Sequence, residues 1–143
     1  MKVIIIGCGR VGATLATQLD RAGHTVSVVD NNSDAFQRLD PKFRGDKIIG
    51  SGVDEEILRR AGAEGADAFA AVTNGDNRNI MASQIAKEIF HIQKVVCRIY
   101  DPLRESTFNE LGLETICPTT IVSDMLLDVL NGRGTKALPR SGS

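Results

Sequence analysis

The sequence has no tryptophan, a single tyrosine at Tyr100, and three cysteines among its 143 residues. Without a set of aromatic faces on which successive bases could stack, a platform for single-stranded nucleic acid is not expected. Cys8, Cys97 and Cys117 lie far apart and form no C-x-x-C pair, so neither a zinc site nor a disulfide framework is indicated. Unpaired thiols fit a reducing compartment, and a cytoplasmic location is the expectation. No apolar run is long enough to cross a bilayer, and no basic segment followed by an apolar core opens the chain. Direct membrane insertion is therefore not expected. The formal net charge of -1 provides no electrostatic attraction toward nucleic acid or anionic lipid. The length suits one domain, which weighs against a nucleotide domain joined to a separate substrate domain.

What the sequence does have is an apolar, β-branched opening, Lys2-Val3-Ile4-Ile5-Ile6, running directly into Gly7-Cys8-Gly9-Arg10-Val11-Gly12 and then into a helical pattern to Arg21. A strand followed by Gly-x-Gly-x-x-Gly at a helix start is the context of a dinucleotide-binding fingerprint. Gly7 allows the sharp turn, Gly9 lets the backbone approach a pyrophosphate, and Gly12 lets the helix pack close to the sheet. Unpaired amides and the positive end of the helix dipole favour an anion at that point. Cys8, where a small residue is needed, reads as structural in preference to a redox sensor.

The second apolar stretch, Thr25 to Val29, ends in Asp30 at the spacing where an acid binds ribose hydroxyls and repels a 2′-phosphate. That favours NAD, NADH or an adenine nucleotide over NADP. The plainer alternative is a solvated turn residue leading into Asn31-Asn32-Ser33.

Further along, Ser33 is placed to cap a short helix that Pro41 limits, and a third strand is expected at Lys47-Ile48-Ile49. A helix follows from Asp54. A doubly buried strand is expected at 67–72, and a helix with Ile80, Met81, Ile85, Ala86 and Ile89 as its packing stripe comes next. Strand five spans 94–99, Asp101-Pro102 breaks it, and a helix runs through Phe108 and Leu111. A short strand at Glu114-Thr115-Ile116 leads to a last helix from Pro118. This alternation predicts an α/β fold of Rossmann type: a doubly wound parallel sheet of order 3-2-1-4-5-6 with helices on both faces. Its ligand crevice would gather Gly7 to Gly12, Asp30, Gly50 to Val53 and Thr73 to Asn79. The domain is expected over 1–131, with 132–143 as a flexible tail or expression remnant.

Several segments together resemble the nucleotide-binding N-lobe of the RCK/KTN family, also called the TrkA N-terminal domain, regulators of potassium channels and of Trk and Ktr uptake systems. They are the glycine loop, Asp54 to Gly62, Ala66 to Thr73, Asn77 to Ser83, Val95 to Arg98, and Leu111 to Glu114. The resemblance implies a regulatory subunit without chemistry of its own, controlling a membrane-embedded potassium transporter or channel. It implies that Arg10 reaches nucleotide phosphates, that Thr73, Asn77 and Asn79 approach ribose and phosphates, and that Arg98 lines the crevice. The competing readings are a solvated Arg10, capping roles for the polar trio, and a structural ion pair for Arg98.

The residues expected at the cofactor are Gly7, Cys8, Gly9, Arg10, Val11, Gly12, Asp30, Asn31, Ser51, Gly52, Val53, Thr73, Asn74, Gly75, Asn77, Asn79 and Arg98. No catalytic or metal-ligating residue is assigned. Two positions depart from the family pattern. Gly50-Ser51 stands where Gly-Asp is common, and Pro118-Thr119 stands where some members carry an acid. These shift weight from a metal-assisted triphosphate toward NAD or NADH, ADP or AMP, with ATP retained. The family's C-terminal lobe is not among these residues. The last helix, apolar on more than one side, resembles the family's crossover helix and implies a homodimer or larger ring. The alternative is an NAD-dependent oxidoreductase or its cofactor domain, against which His24 and His91 fall at the opposite end of the sheet from the ligand.

Overall fold

The computed structural model describes residues 1–134; of the tail expected at 132–143, residues 135–143 lie outside the described residues. Strands β1 (Lys2–Ile6), β2 (Thr25–Asp30), β3 (Asp46–Ile49), β4 (Ala68–Ala71), β5 (Lys94–Arg98) and β6 (Glu114–Ile116) form one sheet of order 3-2-1-4-5-6. Every pair in it is parallel. Helices α1 (Arg10–Arg21), α2 (Glu55–Arg60), α3 (Asp76–Glu88) and α4 (Pro102–Glu110), with a 3-10 helix at Ser33–Arg38, make the connections, and α5 (Pro118–Leu130) follows β6. The fold class and strand order are those the alternation predicts.

The central strand explains why the opening residues are so uniformly apolar. Ile4 and Ile6 join Val29, Leu58, Phe69 and Ala86 on one face of the sheet. Val3 and Ile5 join Cys8, Ala13, Ala16, Val26 and Val28 on the other. Successive strand side chains point to opposite faces, so a strand covered on both sides must be apolar throughout. A third cluster of Ile80, Cys97, Ile99 and Leu113 packs the β5–β6 end.

The turn from β1 into α1 has two separate glycine requirements. Gly7 sits at φ +103, and a Cβ there would lie 2.9 Å from the Thr73 amide nitrogen. Gly12 has an ordinary backbone, but a Cβ on it would collide with the Gly7 carbonyl oxygen. The helix therefore rests on the loop backbone itself.

Some local expectations are corrected. Asn32, not Ser33, caps the segment after β2, its side-chain oxygen accepting from the Asp34 amide at 3.0 Å, and the segment is 3-10 in form. On α3 the stripe is narrower than expected. Ile80, Ala82 and Ala86 are buried, whereas Met81 and Ile89 are about half exposed. Helical phase places Met81 off the face defined by Ile80, Ser83 and Ala86, and Ile89 is the C-cap at the end of α3. Helices α4 and α5 contribute no buried residue. Leu126, Leu127 and Leu130 of α5 are 59%, 56% and 83% exposed.

Gly12→Ala is expected to destabilise the fold by about 2–3 kcal/mol, because backbone must move to admit the methyl group. Calorimetry should show Tm lowered by roughly 5–10 °C.

Candidate functional site

At the carboxyl ends of the strands, where the connections from β1 and β4 leave in opposite directions, the structure holds a cleft of about 580 Å³. That volume is in the range of small-molecule sites. Its floor is the glycine loop from Gly7 to Val11. Asp30, Asn31, Gly50, Ser51, Gly52 and Val53 form one wall, and Val72, Thr73, Asn74, Arg98 and Tyr100 form the other.

The floor is built to accept a negative group. Helix α1 begins at Gly9 without a side-chain cap and without an acidic residue in its first turn. The amides of the exposed residues Gly9, Arg10 and Val11 donate to no partner among the described residues. Orphan amides plus the helix dipole are the standard means of holding phosphate. Gly9 itself has no structural need to be glycine, since a Cβ there meets nothing within 4 Å. Close approach of a ligand is the constraint that remains.

Asp30 combines the two roles that its sequence position left open. One carboxylate oxygen accepts the Cys8 amide at 2.8 Å and the other accepts the Asn32 amide at 2.9 Å. The carboxylate thus fastens the glycine loop to the end of β2. Each oxygen keeps a further lone pair, and Asp30 still lines the cleft.

Opposite it, Asn79 holds the wall together from within. Its side-chain oxygen accepts from the Thr73 amide (2.9 Å) and hydroxyl (2.6 Å). Its amide group donates to the carbonyls of Thr73 (3.0 Å) and Arg98 (2.9 Å). Two lone pairs and two N–H groups are all used. Asn79 is fully buried and does not line the cleft, so the expected contact with ligand is replaced by a positioning role. Asn77 is also outside the cleft, accepting from Arg104 at 2.7 Å. Gly75 lies behind the lining, where its carbonyl accepts the Asn79 amide, and Gly12 is buried beneath the loop. The other thirteen expected cofactor residues, from Gly7 to Arg98, meet around the one cleft. Arg98 forms no ion pair with a described residue. It donates to the carbonyls of Val72 (2.7 Å) and Thr73 (2.9 Å), and its guanidinium lies 4.7 Å from the Tyr100 ring centroid.

Among the lining side chains not expected individually are Arg38, Tyr100 and Arg78, the last of which lies within the stretch from Thr73 to Asn79 expected at the crevice. Arg38 arrives from the end of the 3-10 helix and donates at 3.4 Å to the Cys8 carbonyl. Arg78 is turned over Gly75 and held by the Asn74 side-chain oxygen at 2.7 Å. A lone arginine on a predicted loop or helix carries no periodic signal. For Arg78 the cues were its place in the stretch from Thr73 to Asn79 and its i, i+4 spacing from Asn74.

Burial, reinforced by the Asp30 charge, pushes the Cys8 thiol up to about 11, with Arg38 and Lys47 opposing in part. Cys8 is fully buried, and its backbone faces the cleft. A thiol held neutral at physiological pH is a poor nucleophile, which fits its structural reading.

Residues 3–119 match the family model of the TrkA-N domain. The chain belongs to the TrkA-N domain family. A Trk system potassium uptake protein TrkA of Streptomyces coelicolor is 44% identical over 140 residues, covering 98% of this chain and 63% of that protein. The TrkA-N chain thus spans less than two thirds of that relative's length. In three dimensions it resembles a Shewanella denitrificans Kef CTD in AMP-bound form, with TM-score 0.76, 21% identity, and coverage of 97% of this chain and 82% of that one. It also resembles a GsuK channel bound to NAD, with TM-score 0.66, 18% identity, and coverage of 81% and 21%. At such identities the two structures establish the fold they share with this TrkA-N chain.

Asn79→Ala should cost about 2–4 kcal/mol, because it leaves the Thr73 amide and the Arg98 carbonyl unpaired in the interior. Urea denaturation checks this. Alkaline stability gives a second test. The Cys8 contribution is complete below pH 9 and is lost as pH rises toward 11, because the unfolded thiol ionises first. The wild type should lose about 2–3 kcal/mol more than Cys8→Ser between pH 8 and pH 11 in matched urea titrations.

Proposed function

We propose that this TrkA-N domain is a regulatory nucleotide-binding lobe, taking an adenosine nucleotide and controlling a membrane-embedded potassium transporter or channel. The observation that carries the reading is Gly9. It is a glycine that the fold does not require, at the head of an uncapped helix whose amides face a cleft. Asp30 across that cleft supplies the acceptor for ribose hydroxyls and disfavours a 2′-phosphate. NAD or NADH, with ADP, AMP and ATP as further candidates, fit those two features.

The potassium connection is supported by the name of the Streptomyces relative and by the family match over most of the chain. A channel as partner draws further support from the GsuK neighbour. A cytoplasmic position at the inner face of the membrane suits a domain in which no described helix is long and apolar enough to cross the bilayer. The exposed apolar side chains of α5 support a second copy or a ring neighbour covering that helix. Regulation then requires that two ligand states be bound unequally by two arrangements of the assembly. His24 contacts the amino terminus, and His91 lies in the connection before β5, both away from the cleft. That supports regulation over an NAD-dependent oxidoreductase.

Calorimetric titration with NAD, NADH, AMP, ADP and ATP is expected to give saturable one-site binding for at least one of them. Gly9→Ser should leave Tm unchanged within about 2 °C, since serine is a good helix cap, yet weaken binding at least tenfold. Binding that survives the substitution intact would remove the basis of the proposal.

A further inference from the structure

The cleft concentrates positive charge that the protein itself does not neutralise. Arg10, Arg38, Arg78 and Arg98 all line it, and Asp30 is the one acid that does so. None of the four arginines forms an ion pair with a described residue, although the chain as a whole carries 18 acids against 17 Lys and Arg. Elsewhere arginines find carboxylates, as Arg59 does with Glu56 at 2.8 Å and Glu64 at 3.2 Å. Like charges brought together on one concave surface repel, and a polyanion relieves that repulsion.

The four guanidinium groups are not equivalent. Arg98 is tied to two wall carbonyls, and its buried Nε has no partner among the described residues. Arg10 makes no hydrogen bond to a described residue, and Arg38 makes a single long one. Arg78 differs from both. Asn74 holds one of its terminal nitrogens at 2.7 Å, which orders the side chain and leaves its other donors available. It stands on the β4–β5 side of the glycine loop, the side remote from Asp30.

We propose that Arg78, ordered by Asn74, is a second anion-binding group of the cleft, and that it recognises the terminal phosphate of an adenosine diphosphate beyond the phosphate held by the glycine loop. This rests on the nucleotide-binding reading of the cleft. It names Arg78 as the residue by which the site ranks adenine nucleotides by charge. The guanidinium fork suits two oxygens of one phosphate, and it does so as a fixed charge without a divalent cation as intermediary.

The test is calorimetric titration of the full chain with AMP and with ADP in buffer containing EDTA. The wild type should bind ADP about tenfold more tightly than AMP, the worth of one charge-assisted pair. In Arg78→Gln the ADP preference should fall to within about twofold while AMP affinity is retained; Asn74→Ala should give a ratio between these values. Arg104→Gln, outside the cleft, should keep the wild-type ratio. An ADP preference that persists in Arg78→Gln, or AMP and ADP affinities that fall together, would overturn the role of Arg78 while leaving the nucleotide reading standing. Failure of both nucleotides to bind the wild type would instead remove the reading on which it rests.

Discussion

The structure depends on a contact between two pieces of backbone. Where β1 turns into α1, the Cα of Gly12 lies against the carbonyl of Gly7, and Gly7 in turn lies against the amide of Thr73. No side chain fits between them. That closeness brings the start of α1 over the end of the central strand, and it brings the β4 exit to the same place. The cleft exists because these segments are held within backbone distance of one another.

Around that contact, polar side chains fasten the walls. Asp30 ties the glycine loop to β2 through two backbone amides, and Asn79 ties the β4 exit to β5 through four hydrogen bonds. Asp76 adds a third link, accepting from the amides of Tyr100 at 2.8 Å and Asp101 at 3.2 Å. A buried polar residue that is fully satisfied, as Asn79 is, specifies one arrangement. The result is a set of loops fixed in place with their unpaired donors, the α1 amides and the arginines, facing the same space.

The apolar side chains of the last helices follow a different logic. Leu126, Leu127 and Leu130 are more than half exposed among the described residues, and neither α4 nor α5 contributes a buried residue. A helix apolar on several sides is explained by burial against something, and α5 contributes no buried residue to the sheet's core clusters. The sheet end of the molecule is therefore set by packing within the chain, whereas the apolar side chains of α5 stay largely open among the described residues.

The alternation of apolar strands and helices was enough to determine the parallel sheet, its order and the position of its crevice, because periodicity and crossover handedness leave few alternatives. The glycine loop and Asp30 were equally legible, since a turn geometry and a strand-end acid are local features. What only the tertiary structure decided is which polar residues face inward and which face the cleft. Asn79 and Asn77 stand two residues apart on one helix, yet one is enclosed and the other meets Arg104. Arg38 and Tyr100 come from separate segments and acquire their place only when the strands align. Their roles arise from distances between remote parts of the chain, and local sequence carries no record of those distances.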